Sequence, residues 1–140
     1  MKTFLKPVVF LLLTFCFSCE KQGWIVDCST CVSQEPTSAI LEIRTREIGS
    51  SPIVNVYRGE LEDSVLVATL NVSYGQTKME ADLNELYTLT ATYFVDGIKY
   101  IVVNSVTPGL KYVKDQCDDP CYFVYNNKVD LRLKYLAKKD

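Results

Sequence analysis

"LYTLTATYFVDGIKYIVVNSV", residues 86–106, places two β-rich runs on either side of Asp96-Gly97. Threonine, tyrosine, valine and isoleucine fit a pleated, half-buried surface better than a helix. Asp-Gly suits a two-residue hairpin turn because both central residues take positive φ there, which glycine adopts freely and aspartate tolerates. The stretch predicts strands near 86–95 and 98–106, paired antiparallel.

The same period of two extends to both sides of this hairpin, which is the mark of strands with one buried face. "AILEIRT" sets Leu41 and Ile43 against Glu42 and Arg44, and "IVNVYRG" after Pro52 sets Val54 and Val56 against Asn55 and Tyr57. "KMEADL" alternates Met79, Ala81 and Leu83 with Lys78, Glu80 and Asp82. "SVLVATLNV", residues 64–72, is apolar on both faces and suits an interior strand; its β-branched content argues against a helix. "CYFVYNNKVDLRLKY" suggests a second hairpin with Asn126-Asn127 at its tip, Val129, Leu131, Leu133 and Tyr135 opposing Asp130, Arg132 and Lys134. No run carries a helical apolar stripe. Roughly seven or eight strands with regular turn signals predict an all-β fold, a single antiparallel β-sandwich over residues 38–140.

The amino terminus reads differently. Lys2 and Lys6 precede an apolar run from Val8 to Phe17, and Ser18 precedes Cys19. A basic head, a short apolar centre and a small residue before a cut is the layout of a secretory signal. Ten apolar residues are too few for a bilayer core, which takes about 20 in a helix. "FSCEK" resembles the lipobox of bacterial lipoproteins, in which a small residue precedes a cysteine that is acylated and becomes the first residue. Cys16 departs from that pattern, standing where leucine is usual. The resemblance implies a signal peptide over 1–18, lipidation at Cys19 with palmitate-type chains, and a tether over 19–37 into which Trp24 and Ile25 fall. It also implies attachment to the outer membrane or cell surface, since several acyl chains make anchoring durable.

Strand order carries a second, looser resemblance. "VNVYRG", "LYTLTATYFVDG" and "KVDLRLKY" in sequence look like small transthyretin-like or carboxypeptidase-regulatory-like sandwiches over roughly residues 38–136. An immunoglobulin-like or fibronectin type III topology is similar as well. The cysteine–tryptophan–cysteine order of antibody domains is missing, because Trp24 precedes Cys28, Cys31, Cys117 and Cys121.

Composition excludes several functions. The chain has no histidine, which removes serine–histidine and cysteine–histidine catalysis and every histidine-containing metal site. No spacing of Asp and Glu singles out a catalytic carboxylate pair, and the expectation is that the protein is not an enzyme. Of 15 basic residues, removal of Lys2 and Lys6 leaves 13 against 17 acidic ones, a formal charge of −4. Lys134, Lys138 and Lys139 do not reverse that, so nucleic acid is not an expected partner. The acidic "ELED" turn, residues 60–63, matches no calcium loop and reads as solvated.

Four cysteines remain in two close pairs, "DCSTC" and "QCDDPC". In an oxidising envelope an even number of thiols means disulfides. Bridges from Cys28 and Cys31 to Cys117 and Cys121 would each close a loop of about 90 residues, with about 4–5 kcal/mol in the chain-entropy model, against about 2 for a local bridge. Their order is open, and two local bridges are the rival pairing. The alternative cofactor is a structural zinc on the same four sulfurs. A redox CxxC lacks the following helix that would lower its pKa. Among the aromatics, Tyr122 and Tyr125 of "CYFVY" are the candidate ligand-binding residues, since exposed rings bind sugars and proteins with little entropy loss. The functional expectation is a lipid-anchored interaction or accessory module of the cell envelope; the alternative is a glycan or small-ligand binding domain using the C-terminal aromatics.

Overall fold

The computed structural model describes residues 25–63 and 65–135. Cys19 and the signal and anchor assignments lie outside them. The described chain is all-β, with nine strands: β1 Ser38–Arg44, β2 Ile53–Arg58, β3 Val65–Asn71, β4 Gln76–Asp82, β5 Tyr87–Val95, β6 Ile98–Val106, β7 Gly109–Val113, β8 Cys121–Tyr125 and β9 Lys128–Asp130. Two short 3-10 turns, Cys28–Thr30 and Leu61–Asp63, interrupt the loops.

A three-stranded sheet in the order β4-β1-β9 faces a four-stranded sheet in the order β3-β2-β5-β6, and β7 and β8 form a separate ribbon. The Asp96-Gly97 hairpin forms as predicted. β5 and β6 pair from Tyr87↔Val106 to Val95↔Ile98, and Asp96 and Gly97 both take positive φ, 51° and 78°. Alternation settles which face is inward: Leu41, Ile43 and Val129 from one sheet, with Leu131 just past it, meet Val54, Val56, Leu89, Ala91 and Tyr93 from the other.

Two buried tyrosines of β5 join the sheets by hydrogen bonds. Tyr93 donates its hydroxyl to the Leu131 carbonyl at 2.6 Å and accepts from the Arg46 amide at 3.1 Å. Tyr87 accepts from the Asp82 amide at 3.0 Å. A hydroxyl in an apolar interior needs such partners, because an unpaired polar group there costs about 1–3 kcal/mol.

Three expectations are corrected. The 64–72 stretch is not interior: β3 is the edge of the four-stranded sheet, and Val65, Leu66 and Val67 are 52%, 53% and 41% exposed. The chain turns out of this sheet at Tyr74-Gly75 to enter β4 of the other, so β3 has a neighbour on one side only; a bulge at Val56/Tyr57 also disturbs its register. Second, no hairpin closes at Asn126-Asn127. β8 pairs backward with β7, while β9 crosses to pair with β1 in parallel, Ile43 opposite Val129. This is the one parallel pairing among the described strands. Third, Leu131 and Leu133 keep their predicted burial after the strand ends, but Tyr135 is 84% exposed.

Candidate functional site

The cysteines gather where the leading segment meets the ribbon. Asp27 caps the Cys28–Thr30 turn, accepting from the Ser29 amide at 3.0 Å and its hydroxyl at 2.6 Å, while the Thr30 amide donates to the Asp27 carbonyl at 3.1 Å. The next residues pair with β8: Val32 and Tyr122 exchange both backbone hydrogen bonds, at 3.0 and 2.7 Å. That places Cys31 beside Cys121. Two disulfides follow, Cys28–Cys117 and Cys31–Cys121, spanning 89 and 90 residues. The crosslinks run between the two pairs, as the loop-entropy comparison favours, and their order is now fixed. Cys121 is buried and Cys28 exposed, and the Sγ atoms of Cys31, Cys117 and Cys121 all lie within 4.8 Å of one another.

Tyr122 and Tyr125 are not brought together. Odd and even residues of β8 point to opposite faces of the ribbon. Tyr122 packs its ring against Tyr112 of β7, its cross-strand neighbour, with centroids 5.0 Å apart and planes tilted by 51°. Tyr125 lies over Gly109, its own neighbour on β7: a Cβ at Gly109 would stand 2.3 Å from the Tyr125 Cζ. Tyr125 thus covers bare backbone at Gly109, and a larger residue there would push the ring aside.

Between the ribbon and the end of β6 runs an open cleft of about 600 Å³, lined by Asn104, Thr107, Phe123, Tyr125, Asn127 and Lys128 among others. Its amides are partly committed to the fold. Asn104 donates to the Asp130 carbonyl at 3.1 Å, and Asn127 donates to the Ile40 carbonyl at 3.0 Å. The asparagines thus hold β9 beside β1 and β6, and Tyr125 is the one predicted ligand-binding residue in this cleft.

A third feature was not singled out from sequence. The outer face of the four-stranded sheet carries Ile53, Phe94, Ile101 and Val103, each about half exposed. The register places Ile53, Thr92 and Ile101 in one row across β2, β5 and β6, with Thr90 and Val103 adjacent in the next. Thr88 and Thr90 form the low centre of this face and are buried by their taller neighbours. The available signal was "IKYIVV", whose apolar residues occupy both parities.

Electrostatics favour fixed anions. Hydrogen bonds from the Ser29 hydroxyl and amide hold the Asp27 carboxyl below the usual carboxylate range. Asp130 is held far below it by a two-pronged contact with Arg132, Nε to Oδ1 and Nη2 to Oδ2 both at 2.8 Å, and the Arg132 guanidinium is raised in turn. Both carboxyls are displaced away from the range a general acid needs at neutral pH. Comparison with known protein families, with curated proteins and with solved structures finds no match.

Proposed function

We propose that this chain is a non-enzymatic interaction module of the cell envelope, anchored by lipid at Cys19, whose partner surface is the outer face of the four-stranded sheet. The observation that carries the reading is the set of half-exposed Ile53, Phe94, Ile101 and Val103, spread over three successive rows of one sheet face. Several large apolar side chains exposed on one sheet face support a contact surface, because leaving them in water forgoes about 25 cal/mol per Å². The crosslinked leading segment supports the same reading. Cys28 follows Cys19 by nine residues, so tension on the anchor would reach a disulfide before any strand.

Pulldown from envelope extracts with the 20–140 fragment tests this. Ile101→Glu and Val103→Glu should abolish retention of a protein partner while leaving the circular dichroism spectrum intact; unchanged retention would exclude this face. Anchoring is tested apart from it: labelled palmitate should enter the wild type and not Cys19→Ser.

The second reading, glycan binding, is favoured by the Tyr112–Tyr122 pair, in which Tyr112 is 54% exposed. On a glycan array, saturable binding lost in Tyr122→Ala and kept in Ile101→Glu would select it. Tyr125→Ala discriminates less, since it also uncovers Gly109.

A further inference from the structure

We propose that the cysteine cluster, once reduced, is a tetrathiolate site for Zn²⁺ or a cation of similar size and softness. It therefore has two closed states, one joined by disulfides and one by metal. The inference is independent of which face binds a partner and of where the protein is anchored.

Three of the four sulfurs, from Cys31, Cys117 and Cys121, already lie within 4.8 Å of one another. A tetrahedral zinc with Zn–S of about 2.3 Å asks for sulfurs about 3.8 Å apart, so the Cys31 and Cys121 sulfurs, 2.04 Å apart as a disulfide, part by roughly 2 Å on reduction while Cys117 closes in by at most about 1 Å. The fourth corner falls to Cys28, whose sulfur the structure holds 2.04 Å from that of Cys117 and so at the edge of the cluster. Two residues separate it from Cys31, the spacing of paired ligands in structural zinc sites.

Backbone pairing frames the site alongside the disulfides. Asp27 holds the Cys28–Thr30 turn through its own hydrogen bonds, the Val32–Tyr122 pair holds Cys31 beside Cys121, and Cys121 sits opposite Val113 in the ribbon. A preformed frame lowers the ordering cost of ligation. Asp27, Asp118 and Asp119 adjoin the cysteines in sequence and add an anionic field that attracts a dication.

The conversion balances. Two disulfides take up four electrons from two equivalents of a phosphine and four protons from two waters, whose oxygens end in the two phosphine oxides. The four thiols then release protons as they bind the metal, and the metal changes no oxidation state.

The test is a titration of the purified protein with Co²⁺ after anaerobic phosphine reduction. The expected result is one Co²⁺ per chain with the ligand-field and charge-transfer bands of tetrahedral thiolate, displaced by Zn²⁺ and absent from the oxidised protein. Cys31→Ser should weaken binding at least tenfold and shift the bands. Retention of only the spectrum of aquated Co²⁺ by the reduced protein would overturn the proposal, as would equal uptake by oxidised protein. If reduction costs the sheet its dichroism, recovery on adding Zn²⁺ supports the site; no recovery and no bound metal refutes it.

Discussion

The sandwich body and the β7–β8 ribbon are stabilised by different physics. In the body, thirteen buried side chains from both sheets form one cluster, which includes Leu41, Val56, Leu89 and Leu131. None of them comes from residues 107–125. The ribbon buries Val113 and Cys121 but has no core of its own, and a two-stranded hairpin alone is marginal in water. It persists because two disulfides and the Val32 pairing fasten it to the leading segment. Burial rewards the folded body directly, whereas a crosslink acts mainly by restricting the unfolded chain.

Substitution can break this contrast. Replacing all four cysteines with serine opens a loop of about 90 residues and then a ring of roughly nine, for a loss of about 7 kcal/mol in the chain-entropy model. Removing either bridge alone should cost only about 2–3 kcal/mol, because the survivor still closes the long loop. Denaturant midpoints of the single and double removals measure that non-additivity; equal and additive losses would show the bridges acting independently. In the body, Leu131→Ala should cost about 2–5 kcal/mol, with the loss spread over the core strands in amide exchange. Tyr93→Phe sharpens the comparison further. It keeps the ring but strands the Leu131 carbonyl and the Arg46 amide, for about 1–3 kcal/mol in thermal or denaturant unfolding. Asp130→Asn should have the smallest effect, under about 1 kcal/mol near neutrality, since Arg132 is half exposed and solvent screens the pair. Its sign with pH is fixed. A carboxyl held down in the folded state stabilises above its unfolded pKa of about 3.9 and loses that contribution as pH falls below it. The variant should therefore flatten the acid limb of the stability curve.

Sequence discloses the body better than the ribbon for the same reason. Where one face packs on a core, every second residue is constrained, so β1, β2, β4, β5 and the buried Val129 and Leu131 are all visible as alternation. The Asp96-Gly97 turn is equally plain because only residues tolerant of positive φ fit it. "GLKYV" lacks such a pattern, and Pro108-Gly109 looks like punctuation, though Gly109 is there to receive the Tyr125 ring. Asn126-Asn127 also misleads. Asn126 does take positive φ, but Asn127 spends its side chain on the Ile40 carbonyl, carrying the chain across to the other sheet rather than back along β8. β3 shows the limit of composition, because an apolar strand at an edge is spelled like one in the middle. For the site, the disulfide partners were legible to the level of pairs, while their order depends on the Val32–Tyr122 register, which no spacing encodes.

The long covalent loop has a consequence for survival under proteolysis. Tyr74, at the tip of the β3–β4 connection, is 91% exposed and offers an obvious place to cut. A nick there would free nothing, because both halves stay joined through Cys28–Cys117 and Cys31–Cys121. Such a molecule would run as a single band without reductant and as two fragments with it.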